Sequence, residues 1–380
     1  MNWRSSLTMT AAMACLLGAG AASAADKKLP DTQISEARAM SLARTARPMQ
    51  RMLRALPAGA LAMQAVIGRS ATTPMVRQGE DGPADGRSPV DPNAPQPNGA
   101  KAQTDIVPQN YGAGNLNTVY HYSDALVDPK LLNAPPIRQT GEFVFQASSG
   151  VWYRCTASLI AKSILATAGH CVHDGGNKGS GWIRQGTFTP AKRNGSPLYG
   201  VATANHVFTT SGWFNNGELD KGYDVALVVL NKRTGTTREI GTDTGVYAFC
   251  YQNCLQPYWH FSQLGYPGNY YSGAQMTQSL HLSRSDSRDY MYGSGMEGGS
   301  SGGPHIANIG VISDSSNAGQ WAFRNVVLAV TSWGYTDPTL KIQGASPLSG
   351  PNNSNNFRQM FNSACNIARS LHGAGSCSLL

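Results

Sequence analysis

The chain has 380 residues, with 30 Lys+Arg against 22 Asp+Glu and a formal net charge of +8. Only 14% of residues are charged, and 42 are Gly. That excludes a coiled coil or an Ala/Glu/Lys/Leu-rich bundle, while 41% hydrophobic content excludes a wholly disordered chain. No dense Lys/Arg run interleaves with aromatics, so nucleic acid is not an expected partner.

Residues 1–25 have the layout of a secretory signal peptide. Arg4 precedes a small, apolar run from Leu7 to Ala22, and Ala22-Ser23-Ala24 presents small residues for cleavage. The run is too short and Ala-rich to span a bilayer well, so no stable membrane insertion is expected. Cys15 lies ahead of that cleavage point, which leaves six cysteines in the exported chain: Cys155, Cys171, Cys250, Cys254, Cys365 and Cys377. An even number in an exported protein favours disulfides, but six cysteines allow 15 pairings. Cys250 and Cys254 are spaced for a tight local bridge, and Cys365 and Cys377 bracket a helical stretch that a bridge would staple.

Residues 26–110 read as a pro-segment followed by a linker. The stretch 31–70 is helix-like, with Ala37, Met40, Leu42, Met52, Leu53, Leu56, Leu61 and Met63 as apolar positions and Pro48 and Pro57 as breaks. Thr72 to Gln109 is rich in Pro, Gly, Asp and Asn, and is expected to be extended and solvated. From about residue 111 to 380 the texture is β: short β-branched and aromatic runs such as Phe143–Phe145, Ser158–Ile160, Val225–Leu230 and Val326–Val330. Phe357, Met360, Phe361, Ala364, Ile367, Ala368 and Leu371 then recur at helical spacing and predict one C-terminal helix over about 355–371.

Three segments carry the chemistry. Gly299-Ser300-Ser301-Gly302-Gly303-Pro304 surrounds a serine with glycines that let backbone N–H groups converge. Thr167-Ala168-Gly169-His170-Cys171 sets an imidazole among small residues, and Asp224 opens an apolar strand. A hydroxyl needs a base to become a nucleophile, and the base needs a carboxylate to hold its tautomer. His170, Asp224 and Ser301 supply all three, with Ser300 as the next candidate nucleophile. His173 is expected in a loop and His305 in a strand, neither as a catalyst.

These motifs resemble the chymotrypsin-like (trypsin-like) serine peptidases, in particular the bacterial branch of V8-type glutamyl endopeptidases. Cys155-Thr156-Ala157-Ser158-Leu159-Ile160, Ala168-Gly169-His170-Cys171, Leu264-Gly265-Tyr266-Pro267-Gly268 and Ser332-Trp333-Gly334 carry the resemblance over about residues 135–345. It implies an all-β fold of two packed antiparallel six-stranded barrels, over about 135–240 and 245–345, followed by the C-terminal α-helix. It also implies a disulfide between Cys155 and Cys171, an oxyanion hole from the N–H groups of Gly299 and Ser301, and peptide pairing along Ser332, Trp333 and Gly334. The implied protein is a secreted serine endopeptidase, extracellular or periplasmic. It would act on protein or peptide substrates as a monomer, with no metal and no cofactor.

The departures from the family are specific. Ser300 replaces an Asp that would pair with a freed N-terminus, so that form of zymogen switch is not expected. Gly295 stands where a carboxylate would select Arg or Lys, Thr331 replaces a histidine, and Met296 replaces a hydroxyl residue. Gly295, Met296 and Gly334 therefore predict a pocket without a fixed charge, suited to an apolar or medium-sized side chain, with Glu297 in a solvated loop. Two alternatives compete. One is a catalytically silent binding module. The other is an α/β-hydrolase esterase, for which Asp314, Asp337 and His372 would nominally complete a Ser-Asp-His order.

Overall fold

The computed structural model describes residues 24–32, 34–49, 51–53, 75–77, 79–80, 120–252, 254, 259–285, 289–310, 323–335, 341–349 and 354–380. The signal-peptide stretch up to residue 23, most of the linker, and Leu56, Leu61, Met63, Asp314 and Asp337 lie outside the described residues.

Two antiparallel barrels form the core. The first comprises β6 (Thr140–Gln146), β7 (Trp152–Ala161), β8 (Ile164–Thr167), β9 (Gln185–Pro190), β10 (Ala202–Thr209) and β11 (Ala226–Leu230). These strands pair in the closed cycle β10-β11-β8-β7-β6-β9-β10. The second comprises β13 (Trp259–Gly265), β14 (Thr277–Ser285), β15 (Tyr290–Gly293), β16 (Pro304–Ala307), β17 (Val326–Tyr335) and β18 (Ile342–Pro347), with β16 pairing to both β13 and β17. Closure leaves no free edge within either ring. The apolar runs predicted as strands fall on β6, β7, β11 and β17, and β11 and β17 are buried along their whole length.

The predicted C-terminal helix runs over Ser354–His372 and packs on β8, β10, β11 and the strand Ala248–Gln252. Its face is the one read from the spacing: Phe357, Met360, Phe361, Ala364, Cys365 and Ala368 are fully buried. Leu371 departs from this and is exposed, because the last turn runs past the core. The cysteines pair as Cys155–Cys171, Cys250–Cys254 and Cys365–Cys377.

The segment before the barrels is less helical than its sequence predicts and more tightly docked. Ala25–Lys28 (β1) pairs antiparallel with β10. The first helix, Glu36–Thr45, is capped by Ser35, whose hydroxyl accepts from the Arg38 N–H, and it buries Ala39, Met40, Leu42 and Ala43 while Ala37 stays exposed. Beyond it the chain is extended as β2 (Arg47–Pro48) and β3 (Arg51–Leu53). Pro48 ends the helix before it, and pairing with β17 holds Met52 and Leu53 in strand rather than helix. The expected solvated linker also contributes Met75–Arg77 (β4), which pairs with Ala248–Gln252.

The helix seam gives a stability test. Phe361 packs its ring 5.0 Å from Phe249, with the Arg77 guanidinium 5.1 Å from its centroid. Phe361→Ala is expected to lower unfolding stability by about 3–5 kcal/mol, read from the shift of the urea midpoint.

Candidate active site

The three predicted residues come from separate elements that converge between the barrels. His170 sits in the single turn Gly169–Cys171 just after β8, and Asp224 lies two residues before β11. β8 and β11 are adjacent antiparallel strands, which brings the two together. The Asp224 carboxylate is fully buried. Oδ1 accepts from the His170 backbone N–H at 2.7 Å, and Oδ2 accepts from the His170 ring Nδ1 at 2.7 Å. Oδ2 also accepts from the Ser332 hydroxyl at 2.6 Å. Bonds of this kind offset the desolvation of a buried carboxylate. They also assign the imidazole's Nδ1 as donor, leaving Nε2 as the basic face.

Ser301 is held against the same region from the second barrel. Its carbonyl accepts from the Thr156 N–H at 2.8 Å, and the Cys171 sulfur lies 3.9 Å from it. Gly299, at φ +99°, adopts a backbone that side-chain-bearing residues rarely take. Its carbonyl accepts from the Thr156 hydroxyl at 2.8 Å, and that hydroxyl in turn accepts from the Tyr266 N–H at 3.0 Å. Thr156 thus ties the serine loop to the Gly-Tyr-Pro-Gly segment. Ser300 turns its hydroxyl onto the Glu297 carbonyl at 2.7 Å, within its own loop.

Ser301 and Gly299 meet an occupant. The carbonyl oxygen of Met49 accepts from the Gly299 N–H at 2.8 Å and from the Ser301 hydroxyl at 3.1 Å. Nε2 of His170 is buried and has no hydrogen-bond partner. Along β17, Trp333, Gly334 and Tyr335 pair with Arg51, Met52 and Leu53 of β3.

Beside Gly295 lies the buried side chain of Asp124 from β5 (Tyr122–Leu126). Oδ2 accepts from the Gly295 N–H at 2.9 Å and from the Tyr270 hydroxyl at 3.0 Å. A Cβ at residue 295 would stand 2.6 Å from that oxygen. Burial pushes the Asp124 carboxyl upward, against hydrogen bonds from Ser279, Tyr270 and Gly295 and the nearby Lys341. Glu297 is ion-paired with Lys341 at 3.1 Å. Met296 is buried, and its carbonyl accepts from the Gln343 amide.

Of the other histidines, His173 lies in the loop expected of it and is buried there. It packs 4.7 Å from Trp182 and accepts at Nδ1 from the Gly175 N–H at 3.0 Å. His305 is the buried strand residue expected, 3.2 Å from His281 and 3.1 Å from the Thr331 hydroxyl. His372 lies on the C-terminal helix, bonded at 2.8 Å to the Leu230 carbonyl.

Sequence reasoning missed the Ser332 hydroxyl, the Thr156 tie, Asp124 and Met49. The signal for Ser332 was its place beside Trp333-Gly334. Asp124 and Met49 lie 177 and 252 residues from Ser301 and carried no local signal.

Two closed barrels thus carry a buried Asp–His pair and, far from it in sequence, a serine in a glycine-rich loop. The family model described as Trypsin matches residues 136–348, and the chain belongs to that family. It is similar to a glutamyl endopeptidase of Bacillus licheniformis, 27% identical over 150 residues, 40% of this chain and 44% of the relative. It is also similar to an extracellular metalloprotease of Bacillus subtilis, 26% identical over 157 residues, 41% of this chain and 47% of the relative. The chain therefore spans under half the length of these curated relatives. Among solved structures, protease Anisep from Arthrobacter nicotinovorans is 25% identical with a TM-score of 0.48, covering 60% of this chain and 96% of that one.

The buried histidines make stability depend on pH. Desolvation pushes His281 down to about 3, and it also lowers His305 well below its usual value. Between about pH 6.5 and 3 the unfolded chain binds protons that the folded chain refuses, so acidification favours unfolding. Each such histidine is expected to contribute a slope of up to about 1.4 kcal/mol per pH unit. Denaturant titrations at pH 7, 5 and 4 should therefore show a shallower loss for His281→Gln than for the parent chain.

Proposed function

We propose that the chain is a secreted serine endopeptidase that hydrolyses peptide bonds through Ser301, His170 and Asp224. The observation that carries this reading is the Asp224 carboxylate, which fixes His170 through two bonds on the barrel face opposite the Ser301 loop. Membership of the trypsin family supports it.

In this mechanism Ser301 Oγ attacks the peptide carbonyl carbon while His170 Nε2 takes the hydroxyl proton. The buried Asp224 stabilises the imidazolium that forms. The developing oxyanion is met by the N–H groups of Gly299 and Ser301. His170 then delivers the proton to the departing amine, leaving an ester on Ser301 that water hydrolyses by the same steps in reverse. Gly295, Met296 and Gly334 wall the pocket beside the scissile bond, and Ser332–Gly334 pair with the extended substrate.

The organisation proposed is a signal peptide over 1–25, a pro-segment and linker over 26–110, and a peptidase domain over 111–380. Three disulfides suit an oxidising compartment outside the cytoplasm. No helix among the described residues is long and apolar enough to cross a membrane.

Ser301→Ala and His170→Ala are each expected to lower kcat on casein or a peptide by about 10⁴-fold or more, with the fold intact by circular dichroism. An organophosphonate should label the parent at Ser301 and leave Ser301→Ala unlabelled. Full labelling of Ser301→Ala would transfer the role to another serine. Failure of both the folded parent and a folded Met49→Gly chain to label or cleave would favour the binding-module reading.

A further inference from the structure

Residues 47–49 and 51–53 of the chain lie on either side of the Ser301 loop, and both pieces run parallel to the strand they pair with. Before Met49, β2 runs parallel to β7, pairing Arg47 with Tyr153 and Pro48 with Arg154, and the Met49 N–H donates to the Arg154 carbonyl at 2.9 Å. After Met49, β3 runs parallel to β17, pairing Arg51 with Trp333, Met52 with Gly334 and Leu53 with Tyr335. Between them, the Met49 carbonyl takes the Gly299 N–H and the Ser301 hydroxyl.

From this the geometry points to a latch: residues 47–53 hold the uncut chain inactive by binding the active site backwards. In the productive pose that membership of the trypsin family implies, the residue whose carbonyl enters the oxyanion hole sends its side chain towards Gly295, Met296 and Gly334, the residues preceding it lie along β17, and the leaving-group residues pass His170 and the Cys155–Cys171 loop. Segment 47–53 inverts this order. The Met49 side chain is buried in the first barrel's apolar cluster with Cys155 and Cys171, and it is the residues after Met49 that follow β17.

Two consequences follow from the hydrogen bonds. The Ser301 proton points at the Met49 oxygen, so the hydroxyl is diverted from His170 Nε2, which stays unpartnered. Without a bond to His170 Nε2 the Ser301 hydroxyl keeps its proton, so the bond after Met49 is held without being attacked. Main-chain pairing supplies the affinity on both sides, as in strand addition generally, and the Met49 side chain anchors the centre. The latch deepens the endopeptidase reading and rests on it.

The test uses full-length chains, each checked for folding by thermal melting. Met49→Asp puts a carboxylate into the apolar cluster and should expel the segment. Met49→Gly removes the anchor without charge and serves if Met49→Asp fails to fold. The readout is the rate of organophosphonate labelling at Ser301, with intact mass followed in parallel. The parent precursor is expected to label at least 100-fold more slowly than either variant, with the bond after Met49 uncut. Equally fast labelling of parent and variants would overturn the latch and leave the endopeptidase standing. Cleavage after Met49 in the parent would show the segment bound as a substrate and would equally overturn it. No labelling of any folded chain would remove the endopeptidase reading and the latch with it.

Discussion

A buried carboxylate that accepts three hydrogen bonds holds this cleft together. Asp224 takes two from His170, its partner in the first barrel, and one from Ser332 in the second. Removing a carboxylate from water is costly unless it is well bonded, so these donors are bound to their places. The pair β8–β11 sets the His–Asp distance, and β17 brings the third donor across the interface between barrels. The imidazole's orientation is thus a consequence of barrel packing. It does not depend on an exposed loop, where such precision would fade.

The serine side is built by a different device. Gly299 and Ser301 lie on a loop whose shape is set by a left-handed glycine and by one threonine hydroxyl that bonds twice. That hydroxyl belongs to β7, next to Cys155 of the disulfide that closes the His170 loop. Ser301 and His170 are therefore referred to the same strand, although they are 131 residues apart.

Much of this was legible locally. Runs such as Val225–Leu230 read as buried strands because both faces are apolar, and the face of the C-terminal helix followed from 3.6-residue spacing. The serine and histidine motifs were legible because close backbone approach demands small residues beside them. Long-range contacts were not. Asp124 reaches Gly295 from a strand before the first barrel, a contact that no residue near 295 announced. The stretch 31–70 looked helical because its apolar spacing was satisfied, yet Pro48 and the edges of β7 and β17 drew residues 47–48 and 51–53 into strand. Ser332 looked like a backbone contributor and supplies a side-chain bond as well.

In the proposed mechanism the reactivity of Ser301 depends on the Asp224 charge. The decisive measurement is the rate of phosphonate acylation of Ser301 in an Asp224→Asn chain with the cleft opened by Met49→Gly, against the Met49→Gly parent at pH 7. Asn keeps the shape but loses the charge and favours the wrong imidazole tautomer, so a fall of about 10⁴-fold is predicted. An unchanged rate in a folded protein would mean that Ser301 reacts without the Asp224–His170 pair, which would contradict the mechanism.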